Sequence, residues 1–269
     1  MTGVVREVTS LTNATVKAVR ALHMRKERQE TGLFLAEGLK FITEAIDLGH
    51  APRTLLVGRD ARPHPLLDQA RAATLESGGE VLLVTHEILE KISRRDNPQT
   101  VLATFDQRYT PLSAIQPENS LCWVGLEQVR DPGNLGTIIR TADAAGCGGV
   151  ILIGECVDPY SVEGVRATMG SIFAVQIARC TLDDFLQWRQ AWPGSVVGAR
   201  LQASEDYRAA AYRAPAMVLM GNEQAGLTAE AAAACDVNVK IPMRGRADSL
   251  NLSVATGIMV YAAMEAVGG

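Results

Sequence analysis

The sequence has no paired-cysteine motif, no nucleotide-binding glycine loop and no histidine after position 86. Its five cysteines lie far apart, so they indicate neither a zinc site nor a disulfide framework, and a reducing compartment fits them best. Neither GxxxxGKS/T nor a GxGxxG after a strand occurs, which excludes the fingerprints of P-loop enzymes and Rossmann dehydrogenases. Because GxSxG is also absent, a Ser-His-Asp hydrolase in the second half is disfavoured.

Aromatic residues and long apolar runs are scarce as well. Aromatic side chains make up 5% of the chain, which does not support a platform on which RNA bases stack. The longest uncharged stretch, residues 249–264, is interrupted by polar residues and is shorter than the ~18–20 apolar residues that a membrane span needs. The N-terminal residues lack the apolar core of a signal peptide. We therefore expect a soluble, cytoplasmic protein with no membrane partner and no metal site.

The net charge of −4 argues at first against a nucleic-acid partner, but the charge is unevenly distributed. Residues 1–110 carry 15 Lys and Arg against 14 Asp and Glu, whereas residues 111–269 carry 11 against 16. The first 40 residues alone hold seven basic and four acidic side chains. The acidic average therefore conceals a basic N-terminal end.

Strands alternate with helices along the chain, which predicts two α/β domains. We place a first domain at residues 1–106, a linker containing two prolines at 107–120, and a second domain at 121–269. A helix is expected over residues 13–30, with Asn13 as its cap. The second domain should contain a mainly parallel sheet, and ligands of such sheets bind beyond the carboxyl ends of the strands.

Polar residues and glycines concentrate in four loops that follow predicted strands. Taken singly these loops could be ordinary turns and caps, but together they indicate a ligand site. Asn134 and Arg140 lie six positions apart on the helix after the first loop, near opposite faces, so one can face a ligand and the other a partner subunit. A capping asparagine and a surface arginine are the alternative. The loops are 131–136, 198–201, 221–227 and 241–253.

Three motifs in the second domain together resemble those of the SpoU (TrmH) branch of the SPOUT RNA methyltransferases. They are DPGNLGTIIRTADAAG, MGNEQAGL and IPMRGRADSLNLSVATGIMVY, and VRATMGSIF matches a further recurrent segment. The resemblance implies a C-terminal, mainly parallel α/β domain with a deep trefoil knot, which is exceptional among proteins. It also implies S-adenosylmethionine as cofactor, methylation of a ribose 2′-hydroxyl in RNA, and a homodimer.

The resemblance assigns roles to particular residues of the second domain. The implied catalytic residues are Arg140, Asn134, Glu223, Ser249 and Asn251. The implied cofactor-binding residues are Gly198, Ala199, Met220, Gly221, Ile241, Met243 and Leu250. Ala199 stands where the family often has a small hydroxyl residue, so one side-chain contact is absent from the pattern. The family arginine is often described as a general base, but an arginine releases its proton only with difficulty. Electrostatic stabilisation of the developing alkoxide is the easier role for Arg140.

The first domain is similar to the N-terminal substrate-binding domain of many members of this branch. SLTNATVKAVRAL and RKERQETGLFLAEG carry that similarity, which implies a small α/β sandwich of the ribosomal-protein type. The predicted RNA-binding residues are Lys17, Arg20, Arg25, Lys26, Arg28 and Arg166. A solvated helix face is the alternative for the helical cations. The domain favours large-subunit ribosomal RNA as substrate. A transfer RNA methyltransferase and a non-catalytic RNA-binding ribosome-assembly factor are the alternatives.

Overall fold

The computed structural model describes residues 3–268, in which most strands are followed by a helix. The strands are β1 Val4–Val8, β2 Leu33–Glu37, β3 Thr54–Gly58, β4 Glu80–Val84, β5 Val101–Asp106, β6 Cys122–Glu127, β7 Gly149–Ile153, β8 Gln176–Cys180, β9 Val196–Ala199, β10 Glu205–Asp206, β11 Ala216–Met220 and β12 Val237–Lys240. The helices are α1 Ala14–Ala21, α2 Arg25–Thr31, α3 Leu39–Asp47, α4 Pro65–Glu76, α5 His86–Ser93, α6 Pro132–Ala144, α7 Val162–Thr168, α8 Leu182–Arg189, α9 Ala229–Ala233 and α10 Leu252–Gly268. None of the helices described is long and apolar enough to cross a membrane.

The chain forms two compact units. The first comprises Met1–Gln107 together with Tyr160–Phe173, and the second comprises Arg108–Pro159 and Ala174–Gly269. The segment Tyr160–Phe173, which the sequence pattern places inside the second domain, thus contributes to the first unit. Its Phe173 ring lies 4.8 Å from the ring of Phe105 and 5.6 Å from that of Phe34, both buried in the first unit. These aromatic contacts fix the segment there.

The first unit contains a five-stranded mixed sheet in the order β1-β4-β3-β5-β2. β1, β4 and β3 pair in parallel, whereas β5 runs antiparallel to both of its neighbours. The carboxyl ends of β1 to β4 and the start of β5 therefore meet at one edge of the sheet. β1 is an additional strand that the sequence pattern does not predict, because four of its five residues are exposed and its sequence, VVREV, lacks an apolar run.

The helix predicted over residues 13–30 is in fact two helices. Asn13 caps α1 as predicted, since its side chain accepts backbone N–H groups of the first turn. The backbone at Met24 is extended (φ −88°, ψ 131°), so the chain leaves the helical path there. The buried Arg28 turns inward and its Nη1 donates to the carbonyl of Leu22 at 2.7 Å, an acceptor that the break leaves free. The apolar period of the sequence does not report this buried contact.

The second unit contains a seven-stranded sheet in the order β10-β12-β9-β11-β6-β7-β8. All of its strand pairs are parallel, which confirms the predicted parallel sheet. Trp123 and Trp192 meet edge to face in its core, with ring centroids 6.2 Å apart. The predicted linker, residues 107–120, packs against this unit from Arg108 onward, because Ile115 is buried in the same core. β10 has two residues, too few for a period to predict.

Candidate active site

Three loops of the second unit meet through a chain of hydrogen bonds. The carboxylate of Glu223 accepts the backbone N–H groups of Arg130 and Asp131, at 3.2 and 3.0 Å, and the side-chain amide of Asn134 at 3.4 Å. The amide oxygen of Asn134 in turn accepts the side-chain amide of Asn251 at 2.9 Å. Asn134 therefore links the other two loops, and its orientation is set at both ends of its side chain.

The first of these loops is positioned by the start of α6. Asp131 caps the helix, because its carboxylate accepts the backbone N–H of Asn134 at 2.6 Å. Pro132 occupies the first helical position, where the missing N–H is no loss. Both residue types are strong start signals for a helix, so the local sequence alone places Asn134 in the first turn of α6.

The environment of Glu223 favours its charged form. Partial burial alone would raise the pKa of this carboxyl group. Its own backbone N–H and those of Asp131 and Arg130, followed by the Asn134 side chain, outweigh this and hold the pKa of Glu223 below its ordinary value. Glu223 is thus a fixed anionic acceptor that orients donors, rather than a group poised to deliver a proton.

The second loop, residues 221–227, closes as a tight hairpin. The backbone N–H of Asn222 donates to the carbonyl of Gly226 at 3.0 Å, and the reverse bond measures 2.9 Å. A Cβ at Gly221 would lie 2.1 Å from the carbonyl carbon of Gly226 and 2.2 Å from the nitrogen of Leu227. Only glycine fits at position 221, because the backbone of the hairpin passes directly over it. The sequence motif therefore encodes a close backbone approach.

The base of this hairpin is held by a buried carboxylate. Glu127, at the end of β6, is 1% exposed and accepts both the backbone N–H and the hydroxyl of Thr228, at 2.9 and 2.7 Å. Asn222 adds a second tie, since its side-chain amide donates to the carbonyl of Gln128 at 2.8 Å. Glu127, Asn222 and Thr228 are not among the site residues predicted from the sequence. Two features of the sequence could have pointed to them: the asparagine in the MGNEQAGL motif, and the glutamate that ends the otherwise apolar strand WVGLE.

A cavity of about 250 Å³ opens between these loops. Of the residues implied to bind the cofactor, those that line it are Ala199, Met220, Gly221, Ile241, Met243 and Leu250. Gly198 does not line it, because this residue packs against other side chains: an added Cβ would come 2.6 Å from the Sγ of Cys235 and 2.7 Å from the Oδ1 of Asn238. Apolar side chains and glycine backbone line the cavity together with polar residues such as Gln202 and Asn222. Such a mixture fits a ligand with a flat ring and polar ends, as S-adenosylmethionine has.

Two of the implied catalytic residues are not joined to the hydrogen-bonded group. Ser249 lines the cavity, but its hydroxyl lies 3.5 Å from a carboxylate oxygen of Asp248 and makes no bond to Asn134 or Glu223. Arg140 is exposed two turns along α6 from Asn134. Within residues 3–268 its guanidinium makes no hydrogen bond or ion pair. The structure thus brings together Asn134, Glu223 and Asn251 and leaves Arg140 facing solvent.

The predicted RNA-binding residues of the first unit divide into two groups. Four of them are exposed on α1 and α2, namely Lys17, Arg20, Arg25 and Lys26. The prediction that Arg28 binds RNA at the surface is wrong, because this residue is 3% exposed and donates a hydrogen bond to the Leu22 carbonyl. Arg166 on α7 is partly exposed and forms an ion pair with Glu37 at 2.5 Å. The compact strip that one continuous helix would have presented is therefore interrupted.

Two family models match the chain, one for each of its parts. The SpoU rRNA Methylase family model matches residues 122–261, and the MRM3-like substrate binding domain model matches residues 13–103. The first match covers more than half of the chain, so the protein belongs to the SpoU rRNA methylase family. The resemblance carried by the three motifs is thereby confirmed.

Three relatives are similar over most of the chain. The crystal structure of an AdoMet-bound rRNA methyltransferase from Sinorhizobium meliloti is 51% identical, covers 97% of this chain and 98% of its own, and has a TM-score of 0.91. The 23S rRNA (guanosine(2553)-2′-O)-methyltransferase RlmP of Bacillus subtilis is 30% identical over 95% of this chain and 98% of its own. A 23S rRNA (uridine(2479)-2′-O)-methyltransferase of Streptomyces viridochromogenes is 31% identical, with 91% and 87% covered.

Proposed function

We propose that this protein transfers the methyl group of S-adenosylmethionine to a ribose 2′-hydroxyl of large-subunit ribosomal RNA. The observation that carries the proposal is the hydrogen-bonded group of Glu223, Asn134 and Asn251 beside a cavity that suits the cofactor. Membership of the SpoU rRNA methylase family supports the same reaction. The relatives named above modify guanosine in one case and uridine in another, so the proposal assigns the ribose and no particular base.

The cofactor would be held by the walls of the 250 Å³ cavity. When bound, it supplies an electrophilic methyl group on a sulfonium. Gly221 lets the hairpin backbone come close, and Ile241 and Leu250 provide apolar contacts. The Ala199 wall has no hydroxyl to offer, so the backbone there must supply any polar contact.

Arg140, which is exposed, is proposed to stabilise the ribose oxygen as the proton of its hydroxyl passes to solvent water. A guanidinium stays protonated at physiological pH and presents several donors in a rigid fork. It can therefore lower the energy of an alkoxide without accepting a proton itself. Asn134, held at both ends by Glu223 and Asn251, then has the role of positioning the hydroxyl, with Ser249 as a further donor at the cavity wall.

We extend the proposal to a homodimer. Val254 and Tyr261 on α10 are 51% and 54% exposed, and they lie on one side of the helix together with Ile258. α6 runs alongside, since an added Cβ at Gly257 would lie 3.8 Å from the Cγ2 of Thr141. A second copy on this apolar face would cover it and would place Arg140 near an interface. A trefoil knot and a cytoplasmic location complete the proposal, on the strength of the family and of the sequence composition.

The alternatives are weaker than this proposal. A non-catalytic assembly factor would have no need of an intact Glu223–Asn134–Asn251 group or of the cavity beside it. A transfer RNA substrate is disfavoured because the N-terminal part of the chain matches a substrate-binding domain model. In addition, the Bacillus subtilis and Streptomyces viridochromogenes relatives, which align with this chain over 98% and 87% of their own lengths, are named as 23S rRNA methyltransferases.

The test is transfer of labelled methyl groups to total RNA from a strain lacking the gene, followed by mapping of 2′-O-methyl positions. We expect one labelled ribose in large-subunit RNA, loss of transfer with Arg140→Ala, and strongly reduced transfer with Arg140→Lys, which lacks the fork. Calorimetric titration with S-adenosylmethionine should show binding to both variants. Label on a base, no label in RNA, or no cofactor binding at millimolar concentration would contradict the proposal.

A further inference from the structure

A groove of about 470 Å³ lies in the first unit at the edge of the sheet where β2 ends and β5 begins. Its volume is within the range of about 300–1,000 Å³ that small-molecule sites occupy. Apolar side chains, among them Phe41 and Val165, form part of its wall, and charged side chains surround them. The charged residues that line it are Glu37, Lys40, Glu44, Arg95 and Arg166.

Arg166 presents a fixed guanidinium to this groove. Its Nε and Nη2 donate to the carboxylate of Glu37 at 3.3 and 2.5 Å, and Nη2 also donates to the carbonyl of Ser93 at 2.9 Å. The side chain of Glu37 is only 5% exposed, so this pair neutralises a buried carboxylate. Among the described residues Nη1 has no acceptor, and the side chain is 31% exposed. One edge of an immobilised arginine is therefore available to a ligand.

Further cations stand at the same edge without acidic partners. Within residues 3–268, the side chains of Arg94 and Arg95 make no hydrogen bond or ion pair, and both are exposed. The pKa of His23 lies below its ordinary value. Burial is the largest cause, a hydrogen bond to the Ile92 carbonyl opposes it, and the positive charges of Arg94 and Arg166 lower the pKa further. Arg94 and Arg166 therefore both lie close enough to this imidazole to influence its charge.

The acidic side chains nearby leave these cations largely available. Glu37 is neutralised by Arg166, and Glu44 approaches Lys40 at 3.7 Å in a pair whose members are 46% and 87% exposed. Such an exposed ion pair contributes little to stability, so Lys40 can leave Glu44 for a phosphate at little cost. The exposed Asp96 carboxylate is next to Arg95 in the chain. The groove therefore combines an apolar wall with guanidinium and ammonium groups that can bind a phosphate.

Met169 occupies a conformation that suggests a role for its side chain. It ends α7 in the left-handed region (φ 51°), where glycine is favoured, and its side chain lines the groove although the residue is 65% exposed. A methionine in that position costs stability relative to glycine and leaves a flexible apolar side chain in solvent. Such a side chain is suited to pack against a flat, apolar ligand surface.

We propose that this groove holds an unpaired nucleotide of the RNA substrate, with its base against Met169 and the apolar wall and its phosphate on Arg95 and Lys40. The proposal rests on the proposed function. Proteins that recognise RNA sequence usually bind unpaired bases, and an arginine guanidinium plane can stack on such a base as an aromatic ring does. The free edge of Arg166 then hydrogen-bonds the nucleotide. This places RNA binding at the sheet edge where β2 ends, on residues other than the cations of α1 and α2.

The test compares RNA binding by Arg95→Gln and by Arg71→Gln, which removes the same charge from α4, outside the groove. The probe is a large-subunit rRNA transcript that contains 4-thiouridine, titrated by filter binding at several salt concentrations. We expect Arg95→Gln to weaken binding by about three- to tenfold and to reduce the slope of log affinity against log salt by about 0.7, the value for one single-strand phosphate contact. Arg71→Gln should bind like the wild type.

Met169→Gly provides a second variant whose folding is not in question, because glycine is favoured at that φ. It should weaken RNA binding without lowering the free energy of unfolding. Photo-crosslinking should place the 4-thiouridine on Phe41, Met169 or their neighbours in the groove. If the wild type methylates RNA but Arg95→Gln and Met169→Gly bind it normally and crosslinks lie elsewhere, the groove proposal is overturned and the proposed function stands. If the wild type neither binds nor methylates RNA, both are overturned.

Discussion

A single methyl group added at Gly221 should distort the 221–227 hairpin and thereby weaken cofactor binding. In Gly221→Ala the new Cβ would stand 2.1–2.3 Å from the carbonyl group of Gly226 and the nitrogen of Leu227. These are backbone atoms, so no side-chain rotation relieves the contact. The hairpin must move by more than an ångström to reach the ordinary carbon contact of about 3.5 Å or more.

The expected cost follows from what the movement breaks. Two backbone hydrogen bonds close the hairpin between Asn222 and Gly226, and each contributes about 0.5–1.5 kcal/mol. Overpacking costs about 1–3 kcal/mol more. We therefore expect the free energy of unfolding to fall by about 2–6 kcal/mol, or the free energy of local opening of the hairpin to fall by a similar amount. Either outcome displaces Glu223 and the cavity wall together.

The assay is calorimetric titration with S-adenosylmethionine, with thermal unfolding measured on the same samples. Gly245→Ala is the matched control, since a Cβ there meets nothing within 4 Å and the backbone φ is not in the left-handed region. We expect at least a tenfold loss of cofactor affinity for Gly221→Ala, equivalent to about 1.4 kcal/mol, and no change for Gly245→Ala. Wild-type affinity and stability in Gly221→Ala would refute the argument.

Two further predictions concern single side chains. Because the pKa of Glu223 in the fold lies below its ordinary value of 4.5, its contribution to stability is present above that pH and is lost as the pH falls through the folded pKa. Glu223→Gln should flatten this acid limb in urea titrations, and an unchanged limb would contradict the assignment. Arg28→Met should cost about 1–3 kcal/mol in urea unfolding, because the Leu22 carbonyl loses its donor, whereas Arg25→Met should cost little. Equal effects would show that Arg28 is not an internal donor.

Much of the secondary structure is predictable from the sequence, and the two features that are not predicted share a physical cause. The apolar strands of both sheets and the cap at Asn13 follow from local patterns. The break before α2 and the exposed strand β1 do not, because each depends on a contact that the apolar pattern does not report. The first depends on the hydrogen bond from Arg28 to the Leu22 carbonyl, and the second on pairing with the distant strand β4.

The candidate site shows a similar division. The glycine and asparagine of each motif are visible in the sequence, and so is the cap that starts α6. The pairing of Asn134 with Asn251, 117 residues away, is a long-range contact that no local pattern encodes. Glu127 is not predicted from the sequence, because a charged residue at the end of an apolar strand is typical of the start of a loop, whereas the structure buries Glu127 and bonds it to Thr228.

The absence of paired-cysteine motifs and nucleotide-binding glycine loops excludes several classes of enzyme, and the scarcity of aromatic residues argues against base stacking on an aromatic platform. The three motifs then identify the family, because each loop needs particular residues at a fixed spacing, and this spacing is visible in the sequence. Only the tertiary structure decided where the cations lie. It buried Arg28, drew the segment Tyr160–Phe173 into the first unit and placed Arg166 against Glu37 at a groove. Burial and ion pairing depend on contacts between distant segments, so the charge of a residue can be counted in the sequence, but its availability to RNA is set by the fold.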